Sequence, residues 1–206
     1  MATTSSPYGL RPRNLLGGQP FAGSTRLYPI GSNYGYTIQY GDPVVLNAGA
    51  DGTGGLIGRF NTTTTATTVT TGITMIGVFV GCTWTDATYG PTFRQNYPAS
   101  TVASDIMAYV VDDPDALFEV QADGAITTNM VGSNAKLIQT VAGSSVANRI
   151  SGVGIQQNSI AGTATFPIRI VDFVRKPGST PGDTYTDVVV RLNVHLHRTA
   201  TGNAIA

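Results

Sequence analysis

The chain has 206 residues, with 12 Lys and Arg balanced by 12 Asp and Glu, so its formal net charge is zero. Proteins that hold nucleic acid non-specifically neutralise phosphates with an excess of basic side chains, and this balance argues against that class. Charged residues make up 12% of the chain, against a usual ~25%, so we expect much of the surface to be hidden against neighbouring subunits. No apolar run approaches the ~18 residues of a membrane-spanning helix, and the single cysteine excludes an intrachain disulfide.

The sequence predicts an extended N-terminal arm over residues 1–23, followed by a single β domain over residues 24–206. Proline and glycine interrupt every regular pattern in the arm, so neither a helix nor a long strand is expected there. Its large apolar side chains would be poorly solvated, so we predict that the arm lies ordered along a surface, either its own or a neighbour's. The residues predicted to contact other subunits or a capsid are Tyr8, Leu10, Arg11, Arg13, Leu15, Leu16 and Phe21.

Short strands are predicted from Arg26 onward. Residues 36–40 and 44–47 flank a turn sequence at residues 41–43, which read Gly-Asp-Pro. A threonine-rich tract at residues 61–71 favours extended chain but lacks an apolar face, so it predicts a surface loop or a sheet edge.

The chain is organised around a predicted strand from Met75 to Thr85. Read with a period of two, one face of this strand carries Ile76, Val78, Val80, Cys82 and Trp84. The other face carries Gly77, Phe79, Gly81, Thr83 and Thr85. Because glycines allow another backbone to approach closely, we expect the second face to be covered as well.

Residues 86–100 predict a turn-rich connection, and the residues after it predict a hairpin. Residues 106–111 are apolar on both faces, which is typical of a strand buried on two sides. Residues 116–122 alternate between apolar and polar positions. The sequence Asp-Asp-Pro-Asp at residues 112–115 lies between them and favours a turn, because proline fixes its φ and aspartate side chains accept from nearby amides. We therefore predict that the two strands pair with each other.

The C-terminal third predicts one short helix and two further strands. The helix is expected over residues 135–141, and a strand over residues 166–174, whose alternation slips between Ile170 and Val171 and so predicts a bulge. The most regular amphipathic strand is predicted over residues 187–197. Together these elements predict an all-β fold, either an antiparallel β-sandwich or a jelly-roll-like barrel.

Charged residues are sorted along the chain. Half of the acids lie between residues 105 and 123, and bases predominate from Lys136 onward. Such sorting would fix the register between subunits, or it would mark two solvated faces of one domain. The sequence leaves both interpretations open.

Three groups of side chains have the right type for chemistry, and each also has a structural explanation. His195 and His197 are predicted on one strand face about 7 Å apart, a spacing that suits a metal, but no further ligand motif accompanies them. Cys82 lies among apolar residues, where a thiol is an inert hydrophobe. The acidic turn at residues 112–115 lacks the glycine and distal glutamate of a calcium loop. We therefore predict no catalytic, cofactor-binding or metal-binding residue, and no enzyme activity.

Four stretches carry a resemblance to a known family. They are PYGLRP at residues 7–12, GGQPFAGSTR at 17–26, GVFVGCTW at 77–84 and YVVDDPDALFEV at 109–120. Over residues 7 to about 124 the chain resembles the capsid cement, or decoration, proteins of tailed bacteriophages, including those of cyanophages.

This resemblance implies a structural virion protein made in the host cytoplasm and placed on the exterior of the capsid. Its partners would be the major capsid protein and further copies of itself, as a homotrimer, with neither nucleic acid nor membrane. It would stabilise contacts between major capsid subunits after the shell expands. Many weak contacts joined through a trimer would then act together by avidity.

Two other functions remain open from the sequence. One is another capsid component, including the major capsid protein itself, although no long amphipathic helical pattern is present. The other is a tail or fibre adhesin that binds host glycans, with Trp84 and the tyrosines as stacking platforms.

Overall fold

The fold is all-β, as predicted, with 2% helix and 50% strand. The computed structural model describes residues 4–47, 55–60, 68–69, 74–139, 150–176 and 179–198. The strands in these residues are β1 (Arg11–Leu15), β2 (Arg26–Pro29), β3 (Pro43–Asn47), β4 (Leu56–Arg59), β5 (Thr68–Val69), β6 (Met75–Asp86), β7 (Gly90–Arg94), β8 (Met107–Val111), β9 (Ala116–Gln121), β10 (Asn134–Gln139), β11 (Val153–Ala161), β12 (Ile168–Phe173) and β13 (Asp187–Leu192). A single 3-10 turn, Thr128–Met130, is the only helical element in the part of the chain that the structure describes.

The strands form two antiparallel sheets packed as a β-sandwich, so the sandwich is confirmed and the closed barrel is not. The larger sheet has the order β1-β9-β13-β12-β10-β11, and the short β5 pairs with β10. The smaller sheet has the order β2-β8-β6-β3-β4, and β7 pairs with the second half of β6. No helix among the described residues is long and apolar enough to cross a membrane.

The first half of strand β6 lies between two apolar cores, so both of its faces are buried there. Met75 and Val78 contribute to the core between the sheets. Ile76, Phe79, Cys82 and Trp84 contribute to a second core on the other face of the smaller sheet. The prediction that Ile76 and Val78 share a face is therefore wrong. The register of β6 shifts once against β3 and once against β8, and each extra residue reverses the alternation.

Gly77 accommodates the backbone of β8, the strand that pairs with β6 in the smaller sheet. A Cβ atom at Gly77 would lie 2.2 Å from the carbonyl oxygen of Val111. That distance is far inside van der Waals contact, so only glycine fits beside the end of β8. The expectation that a glycine of this strand admits another backbone is confirmed here.

The predicted hairpin between the strands that flank the acidic turn is wrong. Strand β8 pairs with β2 and β6 in the smaller sheet, whereas β9 pairs with β1 and β13 in the larger sheet. The turn itself forms as predicted, because Oδ1 of Asp113 accepts the backbone N–H of Asp115 at 2.8 Å. The chain thus crosses from one sheet to the other at Pro114, and the turn connects the two layers.

Two further predictions of local structure are wrong. Residues 134–139 form β10 instead of the start of a helix, and residues 140–141 lie outside the described residues. The connection predicted at residues 86–100 contains β7, which forms a hairpin with β6. The threonine-rich tract lies outside the described residues except for the two-residue strand β5.

The bulge predicted in the C-terminal third is confirmed. The register between β12 and β13 shifts between Ile170 and Asp172, so Val171 is the extra residue. Ile170 packs in the core between the sheets, and Val171 packs with Leu117, Val174 and Val189 on the outer face of the larger sheet.

Three of the strands that end a sheet or lie off its main path carry a proline. They are Pro12 in β1, Pro29 in β2 and Pro91 in β7. Proline lacks the N–H that a further strand would need, and natural sheets use it to block edge-to-edge pairing. These three strands therefore disfavour pairing with a strand of another protein.

Candidate functional site

An apolar patch lies on the smaller sheet, formed by Leu27 of β2, Tyr109 of β8 and Phe93 of β7. Leu27 stands opposite Tyr109 in the β2–β8 ladder. The rings of Phe93 and Tyr109 meet edge to face, with their centroids 5.8 Å apart. Leu27 is 47% exposed and Phe93 is 62% exposed, so the patch presents large apolar side chains to solvent. We call it the Phe93 patch.

Gly81 allows the Phe93 ring to lie flat against the sheet. The ring reaches over Gly81, with its Cζ 3.0 Å from the position that a Cβ atom would occupy there. Gly81 is itself the cross-strand partner of Tyr109 in β6. An aromatic ring over a strand glycine restores packing that the missing side chain would have supplied. Backbone pairing therefore holds Phe93 and Tyr109 in place before any partner binds.

The Phe93 patch continues the face of β8 that builds the core between the sheets. Val111 at one end of β8 is fully buried in that core, and Tyr109, two residues earlier, is only partly buried. Side chains two residues apart on a strand point to the same face. The same face is thus covered at Val111 and open to solvent at Phe93. Aromatic side chains such as Phe and Tyr are enriched at protein interfaces.

The predicted contact residue Tyr8 makes its contacts within its own chain. Its hydroxyl group lies 2.9 Å from Oδ1 of Asp187 and 3.1 Å from Oε1 of Glu119. The ammonium group of Lys176 lies 2.7 Å from Glu119 Oε1 and 3.0 Å from Asp187 Oδ2. Burial, together with the two carboxylates, raises the pKa of Tyr8 above its ordinary value. The guanidinium of Arg11 stacks over the Tyr8 ring, 4.2 Å from its centroid.

The other predicted arm residues divide into buried and exposed positions. Leu10 is fully buried in the core between the sheets, and Leu15 and Phe21 pack against that core. Leu16 is 45% exposed, and the side chains of Arg11 and Arg13 lie on the surface. Residues 11–15 of the predicted arm form β1, the strand of the larger sheet that pairs with β9. The predicted contacts of these residues with neighbouring subunits stay a prediction.

The arm enters the sandwich beside a buried carboxylate. Leu10 donates its N–H to the carbonyl of Gly41, and the next residue, Asp42, is completely buried. Asp42 accepts hydrogen bonds from the Ser151 hydroxyl at 2.5 Å and from the Gln39 N–H at 2.8 Å. Burial raises the pKa of Asp42 to about 6.

The two histidines follow β13 as part of a turn that docks on the start of β6. His195 is fully buried and forms an isolated bridge with Met75, and its ring lies 5.4 Å from that of His197. Burial, and then the neighbouring His197, lowers the pKa of His195 to about 4. His197 Nε2 lies 3.5 Å from Oδ2 of Asp112. No group of three or more His, Cys, Asp or Glu that could hold a metal occurs among the described residues.

Cys82 and Trp84 are both buried in the second core. Burial raises the pKa of Cys82 to about 12, so the thiol stays protonated and packs as a hydrophobe. Trp84 is only 4% exposed. It therefore does not present the stacking surface that the adhesin hypothesis assigned to it.

Several charges that the sequence sorts into acidic and basic segments pair within the chain. Lys176 bridges Glu119 and Asp187, Arg198 pairs with Asp115, and His197 faces Asp112. Pairing within one chain differs from both interpretations of the charge sorting, namely register between subunits and two solvated faces. The acidic segment and the basic C-terminal segment meet because β9 and β13 are neighbours in the larger sheet.

Sequence reasoning did not identify the Phe93 patch. Leu27, Phe93 and Tyr109 are far apart in the chain, and Phe93 lay in a segment predicted to be a connection without a strand. The one available signal was Gly81, a glycine inside a strand pattern, which often marks the close approach of another group.

No protein-family model matches this chain. Comparisons with curated proteins and with solved structures also gave no significant match.

Proposed function

We propose that this chain is a bacteriophage head cement or decoration protein that binds the outside of the capsid and stabilises contacts between major capsid subunits. The observation that carries the proposal is the Phe93 patch, a rigid and solvent-exposed apolar surface on a chain of low charge. The family resemblance is the reason for proposing a bacteriophage capsid as the partner of this surface.

Binding would take place through sheet faces and side chains, without pairing of a partner strand at β1, β2 or β7. The prolines of β1, β2 and β7 disfavour pairing at those edges, and the N-terminal segment fills the core of its own chain. A homotrimer would present three Phe93 patches to neighbouring capsid subunits. Weak contacts at each patch would then combine through effective concentration.

Expanded, undecorated phage heads provide the direct test. Purified protein is mixed with heads assembled from the major capsid protein of the same phage, and bound protein is measured after sedimentation of the heads. Wild-type protein saturates at a fixed number of copies per capsid subunit. Phe93→Ser lowers the affinity at least about tenfold, the loss expected for a central aromatic anchor.

Val102→Ser is the matched control, because Val102 is 79% exposed but is not part of the Phe93 patch. It binds heads as wild-type protein does. Absence of saturable binding by wild-type protein would reject the decoration function. Equal binding by the Phe93→Ser and Val102→Ser variants would reject the patch as the contact surface.

A further inference from the structure

A row of side chains that are polar except for one leucine crosses the outer face of the larger sheet. Asn14, Leu117, Arg191, Arg169 and Asn134 are successive cross-strand partners on β1, β9, β13, β12 and β10. Arg169 and Arg191 stand directly opposite each other, which in an antiparallel pair places their Cβ atoms about 4.5–5.5 Å apart. Like charges in that position repel each other, so the pair is unfavourable without an anion.

The residues around this pair neutralise only part of its charge. Arg169 Nε donates to Oδ1 of Asn134 at 2.9 Å, and that amide group is neutral. The carboxylate of Asp115 pairs with a third guanidinium, that of Arg198. The Nε atom of Arg191 is buried and has no hydrogen-bond partner. A buried donor without an acceptor is costly, so the described part of the chain leaves this guanidinium incompletely satisfied.

Electrostatics at Arg191 agree with this geometry. Burial, followed by the charges of Arg198 and Arg169, lowers the pKa of Arg191, and Asp115 opposes the shift only in part. The positive charge is therefore concentrated at one point of a chain whose net charge is zero.

From this arrangement we infer that Arg191 and Arg169, flanked by Arg198, form a carboxylate-binding site that takes an aspartate or glutamate side chain of a protein partner. Guanidinium groups bind carboxylates through paired, planar hydrogen bonds. Asp115 pairs with the neighbouring Arg198. A carboxylate this close, on a chain without an excess of bases, suits a single acidic side chain better than the continuous phosphate backbone of a nucleic acid.

The inference deepens the proposed function and rests on it only for the identity of the partner, which would be an acidic residue of the capsid. Binding of a free carboxylate to the site does not depend on heads. The two claims can therefore fail separately.

Acetate is the probe for the site itself. The Nε–H groups of the arginines are followed by ¹⁵N NMR at neutral pH during titration with sodium acetate, with sodium chloride at equal ionic strength as reference. The Arg191 resonance is expected to shift and saturate with acetate only. Equal shifts with both salts, or saturation with phosphate and not with acetate, would overturn the carboxylate assignment.

Thermal unfolding gives a second readout with matched variants. Acetate raises the melting temperature of wild-type protein by about 2–4 °C more than chloride does, the shift that corresponds to modest ligand stabilisation in a domain of this size. Arg191→Met keeps the apolar stem and loses this difference. Arg175→Met, which removes an arginine whose side chain is 84% exposed, retains it. If both variants lose the difference between acetate and chloride, or if neither variant loses it, the proposed site is overturned.

Head binding then tests the partner. Arg191→Met is expected to bind expanded heads at least about tenfold more weakly than wild-type protein. Normal head binding by this variant, together with saturable acetate binding by wild-type protein, would overturn the capsid assignment and leave the decoration function standing. Failure of wild-type protein to bind heads would reject the decoration function, and with it the capsid as partner.

Discussion

The hydroxyl of Tyr8 lies 2.9 Å from Oδ1 of Asp187, although 179 positions separate the two residues. Asp187 begins β13, and Glu119, the second carboxylate at Tyr8, belongs to the neighbouring β9. Lys176 closes the cluster between the two acids. This network ties the N-terminal segment to the central strands of the larger sheet, in addition to the pairing of β1 with β9.

Tyr8→Phe is expected to lower the free energy of unfolding by about 1–3 kcal/mol, because it removes a hydrogen bond to a carboxylate and keeps the ring. Denaturant unfolding followed by circular dichroism measures the change. Tyr89→Phe is the control, since Tyr89 is 79% exposed, and its effect should stay within about 0.5 kcal/mol. Equal stability of wild-type protein and Tyr8→Phe would show that Lys176 alone satisfies the two acids.

Leu10 and Leu16 provide a matched pair within the N-terminal segment. Leu10 is fully buried in the core between the sheets, whereas Leu16 is 45% exposed. Leu10→Ala should therefore cost about 2–5 kcal/mol through lost burial and a cavity, and Leu16→Ala about 0.5 kcal/mol or less. Both values come from chemical unfolding. A small effect of Leu10→Ala would contradict the placement of this segment in the core of its own chain.

Gly77 is expected to tolerate no side chain. Gly77→Ala would place a Cβ atom against the carbonyl oxygen of Val111, and that oxygen belongs to the backbone of β8 and cannot rotate away. We expect destabilisation of about 3 kcal/mol or more, at the upper end of overpacking effects. The control is Gly17→Ala, because no atom lies within 4 Å of the added Cβ there. Thermal unfolding of both variants measures the difference, and equal melting temperatures would contradict the close approach of the β8 backbone to Gly77.

Sequence reasoning succeeded where one residue dictates the local geometry. Gly77 predicts a close backbone approach because glycine alone leaves that space. Asp113 predicts a turn because its side chain reaches the next amides. The slip after Ile170 predicts a bulge because no regular strand can place Ile170 and Phe173 on the same face, and both pack in the core between the sheets. In each case the cause lies within a few residues of its effect.

The predictions that failed depend on partners far away in the chain. A Pro-centred turn can join two strands of one sheet or connect two sheets, and nothing in residues 112–115 distinguishes the two. The faces of β6 were assigned with a constant period of two, which two register shifts against β3 and β8 break. The Phe93 patch depends on three strands that only the sheet order brings together. The position of the candidate site therefore depends more on which strands pair with each other than on which residues favour strands.

The pH dependence of stability contains two opposing contributions, from Asp42 and His195. Asp42 has a pKa of about 6 in the folded protein and 3.8 as its ordinary value, so the folded state takes up this proton first as the pH falls. Stability from this group therefore increases by about 3 kcal/mol as the pH falls from above 6 to below 4. His195 has a pKa of about 4 in the folded protein, against an ordinary 6.5. The unfolded state takes up that proton first, so a similar amount of stability is lost as the pH falls from 6.5 to 4.

Single variants separate these contributions, because each removes one titrating group and leaves the other. Asp42→Asn should lose stability more steeply than wild-type protein between pH 6.5 and 4, by about 3 kcal/mol over the interval. His195→Gln should lose stability less steeply than wild-type protein over the same interval, by a similar amount. A cost of the substitution that is the same at every pH does not change this slope. Urea unfolding at a series of pH values gives both slopes. Parallel curves for wild-type protein and the two variants would contradict the burial of these groups, since an exposed carboxyl or imidazole titrates alike in the folded and unfolded states.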